Sequence, residues 1–163
     1  MLDERHDYIF QDKKAMRCSE VAKELEPMEV QKRRVKDSPA CKMTNLALEL
    51  AKTKGERHQK VEEFFLINDT ATVAVEVPIY LTRSRLRDLG LQPTGPLTGH
   101  IDILQVRNKR IHIMDYKPDA KKETSAVTQL WLYAELLSAR TKIDIEKMVC
   151  AWFDERDYFE FKS

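Results

Sequence analysis

Cysteine is scarce in this chain of 163 residues: Cys18, Cys41 and Cys150 are the only three, widely separated and without a C-x-x-C pair. A four-thiolate iron-sulfur cluster cannot be built from one such chain, and the thiols read as reduced structural residues of an intracellular protein. Glycine is equally rare. None of the four glycines stands in a G-x-G or G-K-[ST] context, which argues against the Gly-rich phosphate loop of nucleotide-binding enzymes. No apolar run approaches the roughly 20 residues that span a bilayer, so no membrane association is expected. The charged start Met1-Leu2-Asp3-Glu4-Arg5 does not read as a signal peptide. A cytoplasmic protein is the expectation. An excess of either charge is missing too: 28 Lys and Arg against 27 Asp and Glu leave a net +1. No global field then draws a polyanion, and any electrostatic footprint has to be local.

What is present suffices for one core. The chain is 42% hydrophobic and 34% charged, as expected of one compact domain. Residues 1–40 read as a helical appendage in which Ser19 caps a short helix ending near Pro27, Met28 to Lys36 forms a second, and Asp37-Ser38-Pro39 breaks it. Whether this segment clamps a substrate, supports the next helix or mediates homo-oligomerisation is left open. Within 41–163, Met43 to Leu66 reads as one long helix with Leu46, Leu50, His58, Val61 and Phe65 near a common stripe. A strand follows from about Ala71 to Leu81, whose alternation puts Val73, Val75, Val77 and Ile79 on one face and Glu76 on the other. Leu81 to Gly90 suggests a short helix or turn, and Gln92-Pro93-Thr94-Gly95-Pro96 a loop over a cleft. Leu97 to Val106 and Arg110 to Lys117 form an antiparallel hairpin around Asn108-Lys109. Glu123 to Arg140 is an amphipathic helix. Met148 to Phe153 and Tyr158 to Phe161 close the chain as a second hairpin. The fold class is α/β, a central mixed sheet flanked by helices.

The hairpin carries the chemistry. Pleating puts His100, Asp102 and Leu104 on one face, and Ile111, Ile113, Asp115 and Lys117 on one face of its partner, so Asp115 and Lys117 point the same way about 6.6 Å apart. If the register sets Asp102 beside Asp115, two carboxylates meet inside a sheet and call for a counter-ion. Oxygen ligands suit Mg²⁺ or Mn²⁺. An isolated Asp-x-Lys is usually a plain ion pair, and the surrounding residues decide between the readings. His58 would face the sheet that bears the aspartates, as either a packing residue or a ligand. Glu62 is either a second acid or a solvated edge, and Glu76 either solvent-facing or a third acid. Gln129 and Tyr133, one helical turn apart, reach the same place. Among the basic residues, 32–36 and the set Lys117, Lys121 and Lys122 are each either a solvated face or a phosphate contact.

In this order, His58, Glu76, Gly99-His100-Ile101-Asp102, Asp115-Tyr116-Lys117 and Gln129-x-x-x-Tyr133 resemble the RecB-type branch of the PD-(D/E)xK nuclease superfamily, from about Met43 to the C-terminus. The resemblance implies a restriction-endonuclease-like core and a metal-dependent deoxyribonuclease, exonuclease or endonuclease. It further implies that one or two Mg²⁺ or Mn²⁺ ions are held by His58, Asp102, Asp115 and the backbone carbonyl of Tyr116. Lys117 would be the catalytic lysine, Gln129 and Tyr133 would complete the site, and Glu76 matches a frequently acidic strand position. DNA is the implied partner, with Lys121 and Lys122 as candidate contacts. The alternative is an inactive nucleic-acid-binding or assembly module that keeps the fold.

Overall fold

Segments rich in Val, Ile, Leu and aromatics become strands, and they join in one mixed sheet. The computed structural model describes residues 7–88 and 90–163; the opening residues considered for a signal peptide, and Leu89 in the 81–90 segment, lie outside the described residues. The strands are β1 (Met16–Arg17), β2 (Arg33–Arg34), β3 (Thr72–Leu81), β4 (Leu97–Arg107), β5 (Arg110–Tyr116), β6 (Met148–Phe153) and β7 (Tyr158–Lys162). The helices are α1 (Asp7–Gln11), α2 (Cys18–Glu24), α3 (Pro39–Glu49), α4 (Arg57–Asn68), α5 (Arg83–Asp88) and α6 (Ala126–Thr141). None is long and apolar enough to cross a membrane. The sheet runs β1-β4-β5-β6-β7-β2, with β3 also paired to β4. The β3–β4, β4–β5, β6–β7 and β2–β7 ladders are antiparallel, β5–β6 and β1–β4 parallel.

Alternation along the central strands feeds two cores. Ile113, Cys150 and Trp152 pack with α6 and α2, while Met114, Ala151 and Phe153 pack with α3 and α4. Every residue of β6 is buried, as expected of a strand covered on both faces. The first hairpin is as read: Asn108 and Lys109 sit at φ 52° and 58°, the left-handed pair that a type I′ turn requires.

Three local readings change. The long helix is two: α3 ends at Glu49, and a 3₁₀ turn over Lys54–Glu56 precedes α4. Glu56 accepts from the Lys52 N–H across this break. Leu46 and Leu50 therefore stay exposed while Val61 and Phe65 are buried. Ser38 and Pro39 start a helix instead of only breaking one: Ser38 accepts from the Ala40 N–H, and Pro39 occupies the first turn, where its missing N–H costs nothing. The helix expected over 28–36 is absent. Arg33 and Arg34 instead pair with β7 and form ion pairs with Glu160 and Asp157, a nonlocal gain that outweighs helical propensity. Ser19 lies inside α2, whose N-cap is Arg17.

A bend in β3 and β4 positions the functional residues. Val77 and Ile101 pack in the α6 core, whereas Val75 and Ile103, two residues along each strand, pack in the α3–α4 core. Simple alternation, read as one apolar face for β3 and a shared face for His100, Asp102 and Leu104, thus breaks at Glu76 and Asp102. Glu76 has φ 47°, a left-handed conformation in mid-strand, and Val73 is left exposed.

Candidate active site

Beyond the bend, β4 and β5 part. Their ladder runs from Arg107–Arg110 to Ile103–Met114 and ends there, one step before Asp102 would pair with Asp115. Instead of a backbone pair, the Tyr116 N–H donates to Asp102 Oδ2 at 2.9 Å. The carboxylate thus replaces a carbonyl as the acceptor and keeps the fork open. The vacated edge of β4 is taken at Leu97 and Thr98 by β1.

The fork gathers most of the residues expected there. Asp115 is 2% exposed, and its Oδ2 lies 2.8 Å from Lys117 Nζ. That contact is a charge pair without an aligned hydrogen bond, so Oδ2 remains a buried acceptor with unspent lone pairs. Lys117 Nζ donates to Gln129 Oε1 at 3.0 Å, and Gln129 Nε2 donates to the Tyr133 hydroxyl at 2.8 Å. The one-turn spacing on α6 thus produces a hydrogen-bonded chain ending at the acid pair. His58 Nε2 is 3.8 Å from Asp102 Oδ2. Its ring packs on Tyr116 at 4.9 Å between centroids, and half of its side chain is exposed. Tyr116 thus connects Asp115 and Lys117 along the strand and also touches Asp102 and His58. Glu76 is exposed at the bend, and Glu62, 5% exposed, lies buried in its field and that of Asp115. Lys121 and Lys122 are exposed on the 3₁₀ turn that follows.

Electrostatics follows from this crowding. Burial first, then the charge of Asp115, raise Asp102 well above the ordinary carboxylate range against the opposing Tyr116 N–H. Burial and the neighbouring Glu76 push Glu62 up to about 7. Burial alone would lower Lys117, but Asp115 and Asp102 hold it above its usual value, so it stays a cation. His58 is lowered by burial and Lys117, with Asp115 opposing. Burial also drives the Tyr133 hydroxyl far up, so it stays neutral.

Two positions acquire reasons that sequence pattern did not supply. A Cβ on Gly99 would stand 2.6 Å from Tyr133 Cε1 and 3.3 Å from Cys18 Sγ, so the glycine makes room for the Tyr133 ring. Asp154 accepts from the N–H groups of Ala120, Arg156 and Asp157 at 2.7–2.8 Å. With Trp152 Nε1 donating to the Ala120 carbonyl, it fixes the turn after Lys117. The Arg156 and Asp157 donors are local, and only the Ala120 N–H comes from a distant segment; Asp154 belongs to no side-chain motif because all three partners are backbone groups.

Among the described residues, no three His, Cys, Asp or Glu side chains form a ready cage for a metal ion. Mg²⁺ sites commonly need less from the protein, one or two carboxylates with water and substrate phosphate completing the shell. The buried, unspent Asp115 Oδ2 beside the raised Asp102 fits that donor set. No curated protein matches the chain significantly. A family model, that of the PD-(D/E)XK nuclease superfamily, matches residues 5–155. With the mixed sheet and the Asp102–Asp115–Lys117 fork in place, that match over nearly the whole length means that the chain belongs to the PD-(D/E)XK nuclease superfamily.

Proposed function

We propose that this protein is a divalent-metal-dependent deoxyribonuclease of the RecB-type branch, hydrolysing DNA phosphodiesters at the β4–β5 fork. The observation that carries this reading is the convergence of Asp102 and Asp115 with a charged Lys117 tied through Gln129 to Tyr133. Members of the superfamily generally use divalent metals. Here Asp102, Asp115 and the Tyr116 carbonyl, with His58 beside them, are the residues that would hold Mg²⁺ or Mn²⁺. When bound, the ion supplies Lewis acidity, neutralising phosphate charge and lowering the pKa of the attacking water.

The remaining steps belong to side chains. Lys117 Nζ, kept protonated by its acid neighbours, donates to a phosphate oxygen and opposes the charge that builds up there. Gln129 limits the rotation of Nζ, and Tyr133 limits that of Gln129, so the lysine is aimed before substrate arrives. The Tyr116 N–H holds Asp102 in one orientation.

The test is cleavage of circular and end-labelled linear DNA, single- and double-stranded, in Mg²⁺ and Mn²⁺. Asp102→Ala, Asp115→Ala and Lys117→Ala should each lose about 10²–10⁴-fold in rate while keeping a cooperative thermal transition. Wild-type rates in any purified variant would refute the site. DNA binding without cleavage by the wild type would favour an inactive binding module, and a calorimetric titration without metal affinity an assembly role. Product lengths separate exonuclease from endonuclease action.

A further inference from the structure

Several cations of this chain meet acids: Arg33, Arg34, Lys60 and Arg156 each form an ion pair. One group does not. Where the end of α6 meets the end of β3 and the start of α5, Arg85, Arg140 and Lys142 line a cavity of about 300 Å³. All three are exposed, as are Arg83 and Arg87 on the same short helix as Arg85. Among the described residues none of the five forms an ion pair with an acid, although Asp88 and Asp144 follow closely in the chain. Asp144 is engaged elsewhere, accepting from the Glu146 N–H. The dipole at the end of α6 offsets part of the repulsion between Arg140 and Lys142. Nothing comparable serves Arg85. A hollow lined by one sign of charge focuses the field and concentrates counter-ions within it.

What enters has to be an anion, and the rest of the lining narrows its chemistry. Tyr80 is 7% exposed and the Arg140 guanidinium lies over its ring at 4.0 Å, so no base can stack there. Leu81 and Ala139 add apolar lining, which a phosphate leaves unused and an aliphatic side chain covers. Arg83 and Arg87 carry the positive surface beyond the cavity, further than one compact ion reaches. We infer that this cavity docks an acidic segment of a partner protein, its carboxylates on Arg85, Arg140 and Lys142 and an apolar side chain against Leu81 and Ala139. Arginine forks grip carboxylates in two-point contacts, and Arg140 is already held in place by the Tyr80 ring. The surface is separate from the fork: along α6, Arg140 lies about 10 Å beyond Tyr133, at 1.5 Å per residue. The inference therefore does not rest on the nuclease reading. With a net charge of only +1, the attraction is confined to this end of the molecule.

The test is fluorescence anisotropy of a labelled peptide in which Asp and Glu residues flank a central Leu, at low salt and in EDTA. Binding should saturate and weaken as salt is added. Arg85→Gln with Lys142→Asn should weaken it about tenfold, as expected for the loss of two half-exposed ion pairs. Asparagine is chosen because Lys142 sits at φ 63°, a left-handed position that it tolerates. Lys23→Gln with Lys36→Gln removes the same net charge away from the cavity and should leave the affinity unchanged. Replacing the peptide's Leu by Ser should weaken binding about fivefold, through the partly buried side chain. Three results would overturn the inference: no saturable binding by the wild type, wild-type affinity in the Arg85–Lys142 variant, or displacement by oligothymidine or inorganic pyrophosphate as readily as by unlabelled peptide. The first two deny the site, and the third assigns it to a nucleic acid or a compact anion.

Discussion

At Gly99 a single methyl group separates two geometries of the site. Gly99→Ala would press on the Tyr133 ring, whose hydroxyl is pinned by Gln129. Overpacking of this kind costs about 1–3 kcal/mol. The larger expected effect is on rate: a displaced Tyr133 releases Gln129 and so Lys117, and misplacement on the order of 1 Å costs about 10²-fold. Cleavage rates normalised to folded protein, set beside urea midpoints, check this. A loss of stability with unchanged rate would mean that the hydrogen-bonded chain does not aim the lysine. Glu62 supplies the second expectation at this scale. Its carboxyl binds its proton more tightly when folded, so its contribution is present below about pH 4.5 and is lost as pH rises through about 7. Glu62→Gln should therefore raise stability at pH 8 relative to wild type by at most about 3 kcal/mol, and much less at pH 5. Mg²⁺ should stabilise the wild type more at pH 8 than at pH 5.5, since it relieves the same repulsion. Thermal shifts in EDTA and in Mg²⁺ at the two pH values measure both effects.

The bend at Glu76 places the burden on an element. A non-glycine residue in the left-handed region costs about 1–2 kcal/mol, and here that conformation accompanies the parting of β4 from β5. Glu76→Gly should raise the denaturation midpoint, and Glu76→Ala should fall below it by about 1 kcal/mol. Equal stability of the two variants would show that the bend is not strained. Element by element, legibility follows locality. The β4–β5 hairpin is readable because its turn and its Ile-rich strands lie within about twenty residues. The α3–α4 pair reads as one helix because Leu46, Leu50, Val61 and Phe65 fit one helical phase across a break signalled only by Gly55. The helix expected over 28–36 fails because the β2–β7 pairing and its ion pairs come from the far end of the chain. The acids, the lysine and the Gln–Tyr pair are legible from spacing. The bend and the Gly99 packing are not, since each depends on nonlocal pairing.

Over the whole molecule, opposed titrations shape stability. His112 is buried, its Nδ1 lies 3.3 Å from Arg107 Nη2, and burial with the charge of Arg107 lowers it to about 4. A histidine depressed in the fold stabilises fully above its unfolded value of about 6.5, and that contribution is lost as pH falls toward 4. Glu62 and Asp102 act with the opposite sign. His112→Gln should therefore steepen the decline of stability from pH 5 to pH 8 in EDTA, and Glu62→Gln should flatten it. Urea midpoints across that range decide, and parallel profiles for both variants would contradict the assignment.

Both short strands before residue 35 close long loops, β1 onto β4 and β2 onto β7. Such loops are entropically costly and are rewarded only after the rest has formed. The segment over 16–34 is then among the last to dock. The β4–β5 hairpin and α6 can bring Asp102, Asp115 and Lys117 together earlier, while β1, with Arg17, arrives late and detaches first. Amide exchange should find the Met16 N–H, held by the Pro96 carbonyl, open well before that of Ile113. The protein would then pass through a state in which the fork has formed while the edge of β4 at Leu97 and Thr98 is still bare.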